Sequence, residues 1–333
     1  MTVLVTGGTG SVGINLVRQF AMEGHRVICF SRRATEAAAC RDQFLAPVRD
    51  RVVLVAGDVG RPDDLDQVWC QHHPTHVVHA AAITPTPAME RSLGPTIVAA
   101  NVMGTLNVLE AASRAGAQRV LYVSSAAVYG DTDEKVPVRE DTPLVGDGLY
   151  AITKQTSEKL CAHYDRLRGV QAVSARVGWV YGPMERPMPG SREQMSLVYE
   201  CVRLALHGEE IRLQELNAVR DWIYAGDLAR AISSLLFTDQ LSHRVYNCAG
   251  PRGYRHSELL ETLARVIPIR YCQSDSAHEA TIPSALTRSR RGPLSIDRLL
   301  ADTPYRPEID LETGLGLYLD WVRQMNSYPQ LTG

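Results

Sequence analysis

The chain has 333 residues, of which 45% are hydrophobic and 22% are charged, and its formal net charge at pH 7 is -2. These values are ordinary for a globular protein of one large or two average domains, and so small a net charge gives no general attraction for nucleic acid or an anionic membrane. No basic region precedes the first apolar segment, and the longest apolar runs are too short to span a bilayer. We therefore expect no signal peptide and neither a nucleic acid nor a membrane as a partner.

Short apolar segments alternate with segments of helical periodicity through the first half of the chain. We predict strands at Thr2–Thr6, Arg26–Phe30, Arg51–Ala56, Thr75–Ala80, Arg119–Ser124 and Gln171–Val177. We predict helices at Ser11–Glu23, Pro95–Ala112 and Leu149–Arg168. Strands that take turns with helices form a parallel sheet with helices on both faces. The fold class is therefore α/β, with a doubly wound parallel sheet of the Rossmann type.

A glycine-rich segment separates the first predicted strand from the first predicted helix. Gly7 suits the tight turn, Gly10 lets a pyrophosphate approach the backbone, and Gly13 lets the helix pack closely on the strand. The helix that begins with Ser11 and Val12 points its positive end at the same anion. This placement predicts a dinucleotide site, and a purely structural turn is the alternative.

The end of the second strand bears on the choice of cofactor. NAD sites usually place Asp or Glu there, but this chain has Ser31, Arg32 and Arg33. Guanidinium groups match the charge and geometry of a 2′-phosphate, so we predict NADP in preference to NAD; a solvated basic loop is the alternative. Asp58, after the third strand, is placed to reach the adenine edge or to serve as a turn residue.

Tyr150 and Lys154 are the candidate acid–base pair. Four residues apart on a helix, they share one face. A phenol has a pKa of about 10 in water, and a neighbouring ammonium favours its phenolate form. Such a group can exchange a proton with an alcohol while a hydride moves to or from nicotinamide, and a hydroxyl of Ser124 or Ser125 could orient the substrate oxygen. The spacing alone is common by chance, and its position after a serine-rich strand end is what gives it weight.

Nearly the whole chain resembles the extended short-chain dehydrogenase/reductases, which include nucleotide-sugar epimerases and dehydratases. The resemblance is carried by family motifs at Thr6–Gly13, His79–Ala82, Asn101–Ala111, Ser124–Gly130, Tyr150–Lys154, Val180–Pro183 and Arg220–Ala229. Matched in this way, the catalytic hydroxyl falls on Ser125, and with Tyr150 and Lys154 it completes the catalytic set.

The resemblance also implies binding residues and a domain organisation. Cofactor contacts are expected at Val59, Ala80, Ala81, Ala82, Asn101, Tyr150, Lys154 and Val177, besides the residues named above. Substrate contacts are expected at Thr84, Ser124, Ser125, Trp179 and Arg220. The implied organisation is a Rossmann domain over residues 1–176 and a smaller substrate lobe over 177–333, with parts near 222–249 returning to the Rossmann domain.

Two departures from the family pattern bear on the substrate. Ala126 and Ala127 follow Ser125, where the 4,6-dehydratases have Asp-Glu, which disfavours loss of water. Trp179 stands where nucleotide-sugar enzymes usually have Asn beside the diphosphate. Indole offers one donor on a large flat body, which suits stacking on a sugar ring or closing a smaller pocket. We therefore predict a compact polyhydroxylated or carboxylated substrate, with Arg220 or Arg176 as the anion partner. In the alternative, a diphosphate is held by Arg220 and Arg290.

Three other features each have a purely structural alternative to a functional role. The basic segment 288–291 suits either an anion or a solvated loop, and Arg176 suits either the substrate or a buried acid. The histidines of H-H-P-T-H-V-V-H at 72–79 suggest a metal site only weakly, because His76 and His79 lie on a predicted strand, and we expect no metal. Seven scattered cysteines, without a C-x-x-C pair, indicate free thiols and a cytoplasmic location.

The favoured function is an NAD(P)-dependent oxidoreductase that moves a hydride to or from a secondary alcohol or ketone of a sugar-like small molecule. The first alternative is a nucleotide-sugar 4-epimerase with a bound cofactor, and the second is a non-catalytic NADP-binding redox sensor. The resemblance further implies a homodimer, although the apolar helix around Asn101 could instead be buried within one chain.

Overall fold

The computed structural model describes residues 1–288 and 291–325. Its strands are β1 (Thr2–Thr6), β2 (Arg26–Ser31), β3 (Val52–Ala56), β4 (His76–His79), β5 (Arg119–Ser125), β6 (Gln171–Val177), β7 (Trp179–Tyr181), β8 (Ile211–Leu213), β9 (Val219–Arg220), β10 (Trp222–Tyr224), β11 (Val245–Cys248), β12 (Tyr254–Arg255) and β13 (Tyr271–Gln273). Its α-helices are α1 (Ser11–Met22), α2 (Ala39–Leu45), α3 (Pro62–His72), α4 (Pro87–Val98), α5 (Gly104–Arg114), α6 (Leu149–Arg168), α7 (Leu197–Leu206), α8 (Ala225–Phe237), α9 (His256–Val266), α10 (Ser284–Thr287), α11 (Asp297–Asp302) and α12 (Leu311–Met325).

Seven parallel strands form the central sheet, in the order β11-β6-β5-β4-β1-β2-β3. Side chains along β1 alternate between two apolar cores, because successive residues of a strand point to opposite faces. Val3 and Val5 pack into the core that also contains residues of α1 and α8, while Leu4 packs into the core under α3, α5 and α6. Burial on both faces is what a parallel sheet requires, and the predicted fold class is confirmed.

The direction of winding reverses beside β1. From β1 the chain passes outward through β2 and β3, and it then returns to place β4 on the other side of β1. The carboxyl ends of β1 and β4 therefore flank the crevice in which doubly wound sheets bind their ligands.

The second half of the chain builds a smaller lobe and also contributes to the sheet. Its core contains Leu204 of α7, Leu213 of β8, Leu260 of α9 and Leu315 of α12. Strand β11 pairs with β6 at one edge of the central sheet, and α8 packs against α1. The boundary near residue 176 remains a prediction.

The long helical segment differs from the sequence prediction in its start and its regularity. The prediction began at Pro95, but the helix begins at Pro87, where Thr86 caps it by accepting a hydrogen bond from the Met89 N–H. Residues 99–103 form a π-helical turn between α4 and α5. By length and composition alone, Pro87–Arg114 could cross a bilayer. Its second half packs between α3 and α6, as covering helices of an α/β sheet do.

Candidate active site

A cleft of about 840 Å³ lies at the carboxyl ends of the central strands and is lined by both lobes. Most of the residues that the sequence indicated for cofactor and substrate line this cleft. They are Gly7, Gly10, Ser11, Val12, Gly13, Ser31, Arg32, Arg33, Asp58, Val59, Ala80, Ala81, Ala82, Thr84, Ser124, Ser125, Tyr150, Lys154, Val177 and Trp179. Asn101 and Arg220 do not line it.

The glycine loop has the shape that a pyrophosphate requires. Gly7 has φ +68°, and a Cβ there would lie 2.6 Å from the Ala81 nitrogen. A Cβ on Gly13 would lie 2.1 Å from the Gly7 carbonyl oxygen, so only glycine allows α1 to pack this closely on the loop. In the part of the chain that the structure describes, no side chain caps the N-terminus of α1, so its first N–H groups are available to an anion in the cleft. These residues fit a dinucleotide.

At the far end of the cleft, β2 presents the residues expected near the adenosine ribose. Ser31 ends the strand, and its hydroxyl lies 2.8 Å from the hydroxyl of Thr9. Arg32 and Arg33 follow in an exposed turn that lines the cleft. Asp58 also lines the cleft, while its carboxylate accepts a hydrogen bond from the Gly60 N–H at 2.8 Å. Asp58 is therefore a turn residue that also lines the cleft, and its contact with the adenine edge stays a prediction.

Tyr150 and Lys154 lie in the first two turns of α6, at the middle of the cleft. The Lys154 Nζ is 5.6 Å from the centroid of the Tyr150 ring and donates a hydrogen bond to the Val123 carbonyl at 2.7 Å. Burial alone would lower the pKa of Lys154, but interactions with Tyr122, Tyr150 and Glu158 outweigh it and raise that pKa. The amine is therefore a cation at neutral pH, held beside the phenol.

The two serines at the end of β5 have different roles. Ser125 lines the cleft, and its hydroxyl accepts a hydrogen bond from the Ala127 N–H at 3.2 Å. Ser124 is 3% exposed and donates to the Glu158 carboxylate at 2.5 Å. Glu158 is also paired with Arg176, whose Nη2 is 2.7 Å from Oε2. Arg176 thus has the buried acid partner that was one of its two alternatives, and it does not line the cleft.

Asn101 does not reach the cleft because its side chain is committed to the backbone. It is 2% exposed in the π-helical turn. Its amide oxygen accepts from the Ile83 N–H at 2.7 Å, and its amide nitrogen donates to the Ile83 carbonyl at 3.0 Å. Asn101 therefore fixes the segment that carries Thr84, and its expected contact with the cofactor stays a prediction.

The Trp179 ring covers Arg220, which does not line the cleft. The guanidinium carbon is 3.8 Å from the centroid of the Trp179 ring, and Arg220 is 1% exposed. Its Nη2 donates to the Arg288 carbonyl at 3.0 Å, while Nε and Nη1 are buried and have no hydrogen-bond partner within residues 1–288 and 291–325. Burial lowers the pKa of Arg220 to about 10. The indole lines the cleft and covers one face of a buried cation.

The structure adds residues that the sequence reasoning missed. Met188, Ser191, Arg192 and Gln194 come from the segment between β7 and α7 and line the cleft. Their signal in the sequence was only a loop rich in proline and charge, with no periodicity. Of the basic segment 288–291, Arg288 and Arg291 line the cleft, Arg291 pairs with Asp221 at 3.0 Å, and Ser289 and Arg290 lie outside the described residues.

In the histidine-rich segment, His79 is held by hydrogen bonds within the fold. Both ring nitrogens of His79 are hydrogen-bonded to threonine hydroxyls, at 2.6 Å to Thr6 and 3.0 Å to Thr105. Burial lowers the pKa of His79 to about 3, so its ring is neutral. Across residues 1–288 and 291–325, no three His, Cys, Asp or Glu side chains are grouped to hold a metal ion.

Comparison with known proteins assigns this arrangement to a family. The model of the NAD dependent epimerase/dehydratase family matches residues 3–249, which include the glycine loop and the Tyr150–Lys154 pair. The chain belongs to this family. It is thereby an enzyme of the extended short-chain dehydrogenase/reductase type, and the predicted family and class are confirmed.

The match to known proteins covers nearly the full length of this chain. A dTDP-glucose 4,6-dehydratase from Xanthomonas campestris pv. campestris (strain B100) is 26% identical over 99% of this chain and 95% of its own. Protein CapI of Staphylococcus aureus is 24% identical over 96% and 98%. A solved UDP-glucose 4-epimerase of Thermus thermophilus in complex with NAD is 25% identical with a TM-score of 0.77, covering 97% and 99%. The corresponding enzyme of Stenotrophomonas maltophila, solved with bound NAD, has a TM-score of 0.84 at 20% identity over 98% and 99%.

Proposed function

We propose that this family member is an NADP-dependent oxidoreductase acting on a secondary alcohol or ketone of a compact sugar-like substrate that carries hydroxyl or carboxylate groups. The observation that carries the proposal is the stack of Trp179 on Arg220. It places a flat apolar ring on the cleft surface, which suits packing against a sugar ring, and it covers the Arg220 guanidinium that would otherwise face a diphosphate.

The chemistry follows from the side chains in the middle of the cleft. Bound nicotinamide supplies a hydride acceptor or donor. The hydroxyls of Ser125 and Tyr150 hold the substrate oxygen, and the Tyr150 phenol exchanges its proton with that oxygen. The charged Lys154 stabilises the phenolate that forms when the phenol gives up this proton. Ala126 and Ala127 provide no acid next to Ser125, which supports oxidation or reduction over loss of water.

The cofactor preference for NADP is supported by Ser31, Arg32 and Arg33 at the end of β2, where no carboxylate opposes a 2′-phosphate. We expect calorimetric titration to show tighter binding of NADP than of NAD. The double variant Ser31→Asp/Arg32→Ala should reverse this order, because a carboxylate repels the phosphate and accepts from the ribose hydroxyls. Arg323→Ala, which removes an exposed cation of α12, serves as the control and should leave the order unchanged. Equal affinities in the wild type would contradict the proposed preference.

The substrate class can be tested by thermal shift with NADP present. A ligand at 100 times its Kd stabilises a protein by about 2.7 kcal/mol. We expect free sugar acids or polyols to stabilise the wild type and UDP, dTDP or GDP not to do so. Trp179→Asn should uncover Arg220 and reverse this pattern, whereas Trp179→Phe keeps a stacking ring and should behave as the wild type. Strong stabilisation of the wild type by nucleoside diphosphates alone would refute the role assigned to Trp179.

The second candidate is a nucleotide-sugar 4-epimerase, and the comparisons favour it. The solved Thermus thermophilus relative, at 25% identity, is a UDP-glucose 4-epimerase bound to NAD. An epimerase uses the same Ser125, Tyr150 and Lys154 twice at one carbon and retains its cofactor between the two steps. Arg220 and Arg288 would then hold the diphosphate after Trp179 moved aside.

We also propose a cytoplasmic homodimer. The helices of the 87–114 segment and α6 pack side by side, and they leave Val98, Ile152 and Leu167 between 39% and 60% exposed. Large apolar side chains exposed on adjacent helices favour burial against a second copy. None of the seven cysteines, which all lie within the described residues, forms a disulfide, in keeping with a reducing compartment.

A further inference from the structure

The segment of residues 183–196, here called the strap, crosses from the substrate lobe to the Rossmann side of the cleft. It follows β7 and leads into α7. Near its start, the Pro183 carbonyl accepts a hydrogen bond from the Asn15 side chain on α1 at 3.0 Å. Further along, the Ser191 carbonyl accepts from the Thr84 N–H at 2.8 Å. The strap is thus tied to both segments that follow β1 and β4, on either side of the crevice.

Arg192 of the strap lies at the positive end of α1. Its Nη1 is 3.1 Å from the hydroxyl oxygen of Ser11, the first residue of the helix, and the side chain lines the cleft at 27% exposure. A cation beside a helix N-terminus is unfavourable unless an anion also lies there. Among the described residues no side chain caps the N-terminus of α1, and the carboxylate that pairs with Arg192, that of Glu185, bonds Nη2 rather than the Nη1 that faces Ser11. The place where the helix end and the guanidinium converge therefore suits a ligand anion.

Glu185 fixes the guanidinium from the opposite side. Its Oε1 is 2.8 Å from the Arg192 Nη2, and the carboxylate also accepts from the N–H and the hydroxyl of Ser196 at 2.7 and 2.8 Å. Glu185 is 3% exposed, so its position is set by packing. This ion pair engages Nη2 and holds the Nη1 edge toward Ser11 and the cleft.

We propose that Arg192 binds the pyrophosphate of the dinucleotide, so that the strap of the substrate lobe completes the cofactor site begun by the glycine loop. Arginine presents its N–H groups in a planar fork that matches phosphate oxygens. Arg192 lies beside Thr84 and shortly precedes α7 in the chain. Cofactor binding to Arg192 therefore also positions the residues that line the substrate end of the cleft. The proposal rests on the dinucleotide cleft and holds whichever substrate the enzyme uses, while its control ligand relies on the proposed recognition of a 2′-phosphate.

Two adenosine ligands that differ in the pyrophosphate test this assignment in binding measurements. ADP-ribose contains the pyrophosphate, whereas adenosine 2′-monophosphate has no phosphate at the ribose 5′ position. Hydrogen bonds to a charged group contribute about 1.5–3 kcal/mol, which corresponds to about 10- to 150-fold in Kd. We expect Arg192→Gln to weaken ADP-ribose by this factor in calorimetric titrations and to leave adenosine 2′-monophosphate unchanged.

Arg186→Gln is the matched control, because it removes the same charge from the strap at a residue that does not line the cleft. It should bind both ligands as the wild type does. If Arg192→Gln fails to fold, Arg192→Lys keeps the charge without the fork and should still weaken ADP-ribose selectively, by several-fold. Unchanged ADP-ribose affinity in a folded Arg192 variant, or equal weakening of both ligands, would overturn the proposal.

Discussion

Replacing Tyr150 with phenylalanine is expected to reduce turnover by about 10²–10⁴-fold, the usual contribution of a general acid or base, with cofactor affinity close to that of the wild type. The ring remains against the cleft and Lys154 remains buried 5.6 Å from its centroid, so only the transferable proton is lost. Steady-state rates on the substrate found by the ligand screen, together with NADP titration of the same variant, measure the two effects separately.

Tyr122→Phe is the control for this experiment. Tyr122 also lies beside Lys154, with its ring centroid 4.7 Å from Nζ, but it is 1% exposed and does not line the cleft. Its loss should change turnover far less than the loss of the Tyr150 hydroxyl. A near-normal rate in Tyr150→Phe would exclude the acid–base role given to this residue.

The second large effect concerns stability. Arg176→Met is expected to lower the free energy of unfolding by about 3–5 kcal/mol, because it leaves the Glu158 carboxylate buried without its counter-ion. Both side chains are at most 7% exposed, so water cannot compensate for the loss. The same change removes the hydrogen bond from Arg176 to the Tyr129 hydroxyl. Urea denaturation followed by circular dichroism measures the difference.

The double variant Arg176→Met/Glu158→Gln separates the charge from the packing. It removes both charges of the pair, so neither Arg176 nor Glu158 is left as a buried charge without its counter-ion, and it should recover a large part of the lost stability. A loss below about 1 kcal/mol in Arg176→Met, or no recovery in the double variant, would contradict the view that this buried pair supports the end of β5.

Local signals explain why much of the fold and of the site could be predicted. The strands are short apolar runs, and β1 and β6 have the predicted bounds. The glycine loop lies within one turn, and the Tyr150–Lys154 pair lies within one helix. The geometry of each therefore follows from local backbone structure. The helices α2 and α3 were not predicted, because α2 is short and because the charged first turn of α3 obscures its apolar stripe.

Contacts between distant segments explain what the sequence did not show. The Arg192–Ser11 contact joins residues 181 positions apart, and no local pattern marks it. The sequence indicated Arg220 as an anion-binding residue, but its exposure depends on Trp179, which is brought beside it by the pairing of β7 with β10, the strand that follows Arg220. Asn101 likewise bonds to Ile83, which lies 18 positions earlier in the loop after β4.

The most direct test of the proposed function is whether reduced nicotinamide accumulates during turnover. NADP and a panel of sugar acids, polyols and nucleotide sugars would be incubated with the enzyme, with reduced cofactor followed by absorbance and products by mass spectrometry. We expect one reduced cofactor released for each molecule of a compact sugar-like substrate oxidised, and no such product from Tyr150→Phe. Interconversion of a nucleotide sugar without release of reduced cofactor would contradict the proposal and identify the enzyme as an epimerase.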